Sequence, residues 1–352
     1  MKHKIAVLAG DGIGPEVMDA SLKVLDRAAE SFGFSVEYRR ALIGGAAIDE
    51  RGRALPEESI DICRSCDAVL LGSVGGPKWD KLPADQRPER AGLLALRKEL
   101  SLYANLRPVR VYPAIRELSP LKNELLEGGV DLLTVRELSS GIYFSEPKAH
   151  NSDEGYDTMR YRRPTVQRIA ETAFDLARQR RGRLTSVDKS NVLYSSILWR
   201  ETVEEVSRNY PDVELEHMYV DNAAMQMIIN PGRFDVILTG NLFGDILSDE
   251  SAALPGSLGL LPSASLGPKQ HLYEPSGGSA PDIAGKGVAN PLAQILSIAM
   301  MCDYSLEQKE AARAIYRAVE RSIEKRVLSA DLLRRGKASS TEKVAEAVAL
   351  EI

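Results

Sequence analysis

The amino-acid sequence predicts an α/β protein with a substantially parallel sheet. Short runs rich in Val, Ile and Leu alternate along the chain with longer amphipathic stretches, which is the pattern of strands joined by crossover helices. The chain has 352 residues, enough for about two domains and a large core.

Each predicted element follows from its local pattern. Runs of apolar and β-branched residues indicate strands, which lie near 4–9, 34–39, 67–72, 108–112, 131–136, 184–188, 214–220 and 235–239. Apolar residues three and four apart indicate helices, which cover 15–32, 56–65, 91–100, 165–181, 192–209, 221–230, 242–254, 289–301 and 305–325. The first helix begins at Pro15, a residue favoured in a first helical turn. Residues 139–163 fit neither period and are expected to form an arm, such as a hairpin, whose strand edges need a partner subunit.

Composition excludes several classes of partner. The formal net charge is −5, which argues against a general binder of nucleic acid or of anionic membranes. No apolar run approaches 18 residues, and the start of the chain turns from a strand into a glycine loop. We therefore expect neither a signal peptide nor a membrane span, and a cytoplasmic location.

Cys63 and Cys66 form a CxxC motif, a pattern found in redox sites and in zinc sites. A zinc site needs two more ligands, and neither Cys302 nor the four histidines have metal-like spacing. We interpret the pair as structural residues near a helix end. The sequence is equally compatible with thiols that respond to oxidation and thiols that do not.

Asp245 and Asp249 lie four residues apart at the start of a predicted helix, and so on one helix face. Two like charges so placed repel, which calls for a positive partner: a divalent cation, a lysine or an arginine. The alternative is a solvent-facing pair that complements the helix dipole. The preceding strand ends at Gly240, and ligands collect at the carboxyl ends of strands in α/β proteins. An all-oxygen pair suits Mg²⁺ or Mn²⁺ rather than zinc.

Two loops are rich in glycine. The first, AGDGIGPEV, has the spacing GxGxG rather than GxGxxG, so we do not expect a Rossmann dinucleotide site there. The second, residues 274–291, has the glycine density of a ligand cradle, although an ordinary surface loop is the alternative. Its acid, Asp282, could accept hydrogen bonds from both ribose hydroxyls and repel a 2′-phosphate, which favours NAD over NADP.

Four cationic residues form a further candidate site: Arg97, Arg107, Arg136 and Lys189. Arg136 and Lys189 stand at strand ends. Because arginine binds carboxylates in bidentate geometry, several converging arginines indicate a substrate with more than one carboxylate. The alternative is that Arg97 and Arg107 are surface residues.

Nine segments, in the same order, resemble the isocitrate/isopropylmalate dehydrogenase family of metal-dependent β-decarboxylating dehydrogenases. They are GDGIGPEV, GSVGGPKWD, LRKELSLYANLRP, VRELSSGIYF, VDKSNVL, YVDNAAMQ, GNLFGDILSDE, PGSLGLLPSAS and GSAPDIAGKGVANP. The resemblance covers essentially the whole chain. It implies two α/β domains that share a continuous mixed sheet and are not a Rossmann fold. The first domain would be 1–102 with 256–352, carrying the NAD loops, and the second 103–255, carrying the metal aspartates, the arm at 139–163 and a homodimer interface.

The resemblance also implies roles for individual residues. Arg97, Arg107 and Arg136 would hold the substrate carboxylates, while Asp245 and Asp249 would bind Mg²⁺ or Mn²⁺ together with Asp221 of the second subunit. Lys189 of the second subunit, with Asp221, would take the C2 hydroxyl proton, and Tyr143 would protonate the enol left after CO₂ departs. The implied NAD contacts are Gly75, Gly76, Pro77, Lys78, Glu89, Glu274, Gly278, Ser279, Ala280, Pro281, Asp282, Ile283, Ala284, Gly285 and Asn290. K⁺ is a further expected cofactor.

Substrate choice within such a family depends on the γ substituent. Leu93 and Leu94, one turn before Arg97, with Val192 of the second subunit, would form an apolar pocket in which a carboxylate lacks a partner. Core packing is the alternative for the two leucines. We expect oxidative decarboxylation of 3-isopropylmalate to 4-methyl-2-oxopentanoate and CO₂ with NAD reduction, a step of leucine biosynthesis. The alternatives are a related 2-hydroxy diacid (tartrate, malate or homoisocitrate) as substrate, or a binding protein without activity.

Two positions depart from the family pattern. Gly277 stands where some members carry a histidine that stacks on adenine, which leaves the adenine contacts open. Ser139, Ser140 and Ser145 replace smaller or differently polar residues near Tyr143, and could alter the setting of that tyrosine.

Overall fold

The computed structural model describes residues 2–352. The strands are β1 Lys2–Gly10, β2 Ser35–Arg40, β3 Ala68–Ser73, β4 Ala104–Arg110, β5 Asp131–Glu137, β6 Ala149–His150, β7 Gly155–Tyr156, β8 Arg183–Asp188, β9 Glu214–Tyr219, β10 Val236–Thr239, β11 Pro262–Leu266 and β12 Leu272–Pro275. The helices are α1 Gly14–Phe32, α2 Gly44–Arg51, α3 Glu57–Arg64, α4 Ala95–Glu99, α5 Arg163–Arg178, α6 Tyr194–Ser207, α7 Val220–Ile229, α8 Asn241–Ala252, α9 Leu292–Tyr304, α10 Lys309–Glu324 and α11 Thr341–Ala349.

The predicted α/β class and most predicted elements are confirmed to within a few residues. The strand predicted at 108–112 lies too far along the chain, because β4 runs from Ala104 to Arg110. Its first half contains Asn105 and Arg107, whose polar side chains hide the strand pattern. The helix predicted at 91–100 is wrong in part, because residues 88–94 form a π-helical turn before α4.

The first of two compact units runs to Leu102 and resumes from Gly256 to Ile352. Its strand order is β2-β1-β3-β12-β11, with all neighbours parallel except β11, which is antiparallel to β12. Strand β3 is buried throughout, and α9 is buried from Leu292 to Cys302. Strand β3 and helix α9 therefore form part of the buried core of this unit.

The second unit is Tyr103–Pro255, with strand order β4-β5-β10-β8-β9. Strand β4 is antiparallel to β5, and the other neighbours are parallel. The parallel strands β5, β10 and β8 consequently end at the same edge, where polar residues follow each of them. Strands β6 and β7 form a separate antiparallel hairpin with exposed residues, as predicted for the arm.

Within residues 2–352, no helix has the length and apolar character needed to cross a bilayer. Cys63, Cys66 and Cys302 are buried free thiols. Burial raises the pKa of Cys63 to about 12, so the thiolate that reacts in redox chemistry is scarce at neutral pH. This agrees with a structural interpretation of the CxxC motif.

Candidate active site

Asp245 and Arg136 meet at the carboxyl edge of the second unit. Arg136 is the second-last residue of β5, paired in register with Thr239 at the end of β10, and Asp245 lies in the helix that follows β10. The Arg136 guanidinium, with its side chain 6% exposed, forms an ion pair with Asp245 Oδ1. Its Nε and Nη2 also donate to Asn241 Oδ1, at 3.0 and 2.8 Å.

Asp249 has an arginine partner of its own. Arg107 Nη1 donates to Asp249 Oδ1 and to Ser248 Oγ, both at 2.9 Å, while its Nε donates to Asn105 Oδ1 at 2.8 Å. The positive charge predicted beside the aspartate pair is thus supplied, within this chain, by one arginine for each carboxylate. Arg107 is not the free surface residue of the alternative interpretation.

The two aspartates fit a hard divalent cation by their donor chemistry. Both supply carboxylate oxygens, and their side chains are 33% and 74% exposed for Asp245 and Asp249, so oxygen atoms remain accessible. Among residues 2–352, however, no three His, Cys, Asp or Glu side chains converge as a metal cluster. In the described part of the chain, the candidate site therefore offers a pair of acids.

Tyr143 lies beside the same carboxylate. It closes a short 3₁₀ turn, Gly141–Tyr143, and its hydroxyl donates to Asp245 Oδ2 at 2.8 Å. The Arg136 guanidinium lies 5.7 Å from the ring centre. Burial, and then the hydrogen bond to Asp245, raise the pKa of Tyr143, so the phenol is protonated at neutral pH and can serve as a proton donor.

Lys189 and Asp221 form a second contact group in this unit. Lys189 follows β8 and its Nζ lies 2.8 Å from Asp221 Oδ1, in the first turn of α7. The hydrogen bond from Lys189 lowers the pKa of Asp221, so this carboxyl is ionised at neutral pH. Val192, three residues beyond Lys189, is 66% exposed and free to contact another molecule.

Arg97 belongs to the first unit, where Glu274 is its partner. Arg97 Nη2 lies 2.7 Å from Glu274 Oε1, with side chains 15% and 8% exposed. The Arg97 Nε is buried and has no hydrogen-bond partner, a state that costs free energy. Glu274, predicted as an NAD contact, is the ion-pair partner of Arg97 in this structure.

The predicted apolar pocket residues are open to solvent. Leu94 is 41% exposed and Leu93 is half-buried, whereas the core position of this segment is taken by Leu96, which is 0% exposed. The alternative that Leu94 is an ordinary core residue is therefore wrong.

A cleft of about 530 Å³ lies in the first unit. Its lining is mostly apolar, as in many small-molecule sites, and includes Ile13, Val17, Leu258 and Val288. Of the predicted NAD contacts, Gly278, Ala280, Ile283 and Asn290 line it, as does Gly277. A concave apolar surface with glycine backbone beside it fits a nucleoside.

The remaining predicted NAD contacts lie outside the lining of this cleft. Ser279 is buried and its carbonyl accepts the Ile13 N–H at 2.8 Å, while Lys78 pairs with Asp49 at 2.5 Å. A Cβ at Gly75 would lie 1.9 Å from the Glu89 carboxylate, so these two residues are close together. Gly76 directly precedes the 3₁₀ turn Pro77–Trp79. Pro281, Asp282 and Gly285 occupy turns, with Asp282 exposed, and Ala284 is half-buried.

Sequence reasoning missed two buried polar residues. Asp11, in the first glycine-rich loop, accepts the N–H groups of Gly45, Ala46 and Gly75 at 2.8, 2.7 and 2.7 Å. Asp11 thereby ties this loop to the start of α2 and to the segment after β3. The other missed residue is Asn241. The sequence feature that could have identified Asn241 is its position, because it is a polar residue close after a buried strand.

Comparison with known proteins gives consistent matches. Residues 4–348 match the family described as Isocitrate/isopropylmalate dehydrogenase. The 3-isopropylmalate dehydrogenase of Thermotoga maritima is 62% identical over 329 residues, which cover 94% of this chain and 93% of the relative. That of Aquifex aeolicus is 55% identical, covering 95% and 93%. A crystal structure of isocitrate dehydrogenase from Methylococcus capsulatus has a TM-score of 0.85 at 36% identity and covers 99% of both chains. The expected fold, distinct from the Rossmann fold, is confirmed by this match.

Proposed function

The chain belongs to the isocitrate/isopropylmalate dehydrogenase family, and from that premise we propose that it catalyses the oxidative decarboxylation of 3-isopropylmalate to 4-methyl-2-oxopentanoate and CO₂, with reduction of NAD. This is a step of leucine biosynthesis. The observation that carries the proposal is the contact cluster of Arg107, Arg136, Tyr143, Asp245 and Asp249. It combines cations for a diacid, acids for a metal and a proton donor.

The arginines provide the electrostatics of diacid binding. Arg107 and Arg136 are largely buried, at 18% and 6% exposure, so their attraction for a substrate carboxylate is screened less than that of a surface cation. Arg97, with its unpaired buried Nε, is proposed to complete the set. A substrate with two carboxylates suits three guanidinium groups.

The chain's own residues are proposed to move the protons. When bound, Mg²⁺ or Mn²⁺ at Asp245, Asp249 and a second copy's Asp221 would supply Lewis-acid polarisation, and NAD a hydride acceptor. Lys189, hydrogen-bonded to Asp221, takes the proton of the C2 hydroxyl. Tyr143, protonated at neutral pH, returns a proton to C3 of the enol after CO₂ leaves. K⁺ remains part of this proposal as an activator without assigned ligands.

The substrate's isopropyl group is proposed to lie against Leu93 and Leu94 of one copy and Val192 of another. Leu94 and Val192 are exposed apolar side chains, which an apolar substituent would cover favourably. A carboxylate in the same place would lose its hydration without gaining a partner. Such an apolar surface favours 3-isopropylmalate over diacids with a polar γ group.

We propose that the two units act as the family's two domains, with NAD in the first and the metal and a homodimer interface in the second. Support for a dimer comes from apolar side chains exposed on α7 and α8: Met225, Ile228, Ile229 and Ile246 are 41–55% exposed. Such a patch usually marks an interaction surface. A charged diacid as substrate, with no nucleic acid or membrane partner, fits the cytoplasmic location proposed from the sequence.

The shared site can be tested by mixing inactive subunits. Tyr143→Phe and Lys189→Met place their defects in opposite halves of a shared site, so random mixed dimers hold one intact site each. About a quarter of wild-type activity should return on mixing, because half of the dimers are mixed in a two-fold symmetric assembly. No return of activity, in dimers shown to exchange subunits, would place both residues in one chain's site.

A substrate panel tests the proposed reaction itself. The purified protein, with NAD and Mg²⁺, should form NADH from 3-isopropylmalate with a higher kcat/KM than from malate, tartrate or homoisocitrate. Methylene-sized differences in an apolar pocket change discrimination by roughly 10 to 200-fold, so modest side activities are expected. Preference for one of the other diacids would favour the alternative substrate. A protein that forms no NADH from any of them would be a binding protein only.

A further inference from the structure

Asn241 makes hydrogen bonds to three different segments around the candidate site. It is the first residue of α8 and is 0% exposed. Its Oδ1 accepts two N–H groups of Arg136, at 3.0 and 2.8 Å. Its Nδ2 donates to the Ser140 carbonyl at 3.0 Å, and its backbone N–H donates to the Tyr161 hydroxyl at 2.7 Å. Few side chains could replace an amide that donates and accepts at once.

The two bonds to Arg136 orient the guanidinium plane. Nε and Nη2 lie on one edge of the guanidinium group, and one oxygen that accepts from both restricts its rotation. Because the amide is neutral, it holds Arg136 without adding a negative charge beside it. A carboxylate at this position would accept the same bonds but would reduce the attraction of Arg136 for an anionic substrate.

The bond to Ser140 anchors the segment that leads into Tyr143. The same segment is held from the other side by Glu137, a buried carboxylate that accepts the N–H groups of Ser139 and Ser140 at 2.9 and 2.8 Å. Gly141 follows with φ +77°, and a Cβ there would lie 2.4 Å from the Tyr161 hydroxyl. Asn241 therefore couples the arginine to the turn that carries the tyrosine.

We propose that Asn241 is the positioning residue that sets the Arg136 guanidinium and the Tyr143 turn relative to each other. The inference rests on the proposed function, since its consequence is measured in that reaction. Arg136 binds the substrate, and Tyr143 donates the proton. Asn241 touches neither substrate nor cofactor, and acts through both residues.

Asn241→Asp is the decisive variant, because it keeps the size of the side chain, loses the donor to Ser140 and adds a charge beside Arg136. Its KM for 3-isopropylmalate should rise on the order of 10 to 100-fold, because the added negative charge offsets part of the attraction of Arg136 for the substrate, and kcat should fall because the bond that anchors the Tyr143 turn is lost. The KM for NAD should stay within about twofold, because Asn241 lies outside the residues that line the nucleoside cleft. Asn241→Ser, a smaller polar side chain, should show the same split with a smaller rise.

Thr239→Val is the matched control. Thr239 ends the strand before α8, is 0% exposed, and its hydroxyl has no hydrogen-bond partner, so this change removes no bond. The inference is overturned if both Asn241 variants have the same KM for 3-isopropylmalate as the control. It is also overturned if the KM for 3-isopropylmalate and the KM for NAD rise equally while Tm falls, which is the result expected of a purely structural residue. A wild-type protein inactive on 3-isopropylmalate would instead refute the proposed function, and the inference with it.

Discussion

Replacing Asp245 by asparagine separates the proposed metal role of this residue from a structural one. The side chain accepts from Arg136 on Oδ1 and from Tyr143 on Oδ2. Asparagine keeps one acceptor oxygen for Arg136, its amide nitrogen can donate to the Tyr143 hydroxyl oxygen, and the negative charge is lost. Arg136 also keeps its two bonds to Asn241. The substitution therefore removes a candidate ligand without dismantling its surroundings.

Asp245→Asn should change the affinity for metal, the affinity for NAD and the free energy of unfolding by very different amounts. Loss of an outer-shell partner of a metal ligand costs roughly 10 to 100-fold in affinity, so loss of a direct carboxylate ligand should weaken Mn²⁺ binding at least that much. Stability should fall by only about 1 kcal/mol, because the carboxylate is one-third exposed and partly screened by water. That corresponds to roughly 2–4 °C in Tm for a unit of this size.

Titration calorimetry with Mn²⁺, fluorescence titration with NAD in the absence of metal, and thermal unfolding measure the three quantities. Glu250→Gln is the matched control, since it makes the same charge change on the same helix. The NAD affinity of Asp245→Asn should stay within about twofold, because the cleft proposed for NAD is lined by residues of the first unit. Equal loss of metal and NAD binding, or unfolding of the variant, would refute the reasoning.

Two further substitutions test the proton donor and the apolar pocket. Tyr143→Phe should lower kcat by about 10² to 10⁴ with NAD binding unchanged, and a near-normal kcat would rule out proton donation by this residue. Since burial and Asp245 raise the pKa of Tyr143, loss of activity through its ionisation should begin only above about pH 10, as a kcat–pH profile would show. Leu94→Ser should lower kcat/KM for 3-isopropylmalate by about tenfold relative to malate, whereas an equal fall for both substrates would exclude a role in γ-group selection.

Much of the fold follows from local patterns, and the missed parts have identifiable causes. Strands β3 and β10 are mostly apolar and are buried along their length, so their composition is enough to find them. Strands β11 and β12 were missed because β11 buries Ser263 and Ser265, residues whose burial depends on pairing with β12 rather than on composition. Helix α2 begins at Gly44 with φ +76°, a start that helix propensity disfavours.

The site was predictable where chemistry depends on spacing along the chain. Four-residue spacing put Asp245 and Asp249 on one helix face and called for a positive partner. Which partner each acid has depends on strand order, because Arg136 reaches Asp245 only since β5 and β10 are neighbours in register. Asn241 was missed for the same reason, since its bonds join segments that are about 100 residues apart in sequence.

The most direct test of the account measures NADH and CO₂ in the same sample. With 3-isopropylmalate, NAD and Mg²⁺, we expect the two products to form in equal amounts, and both to stop on addition of a chelator and return with excess Mg²⁺. NADH without CO₂, or product formation that a chelator does not affect, would contradict a metal-dependent oxidative decarboxylation at these aspartates.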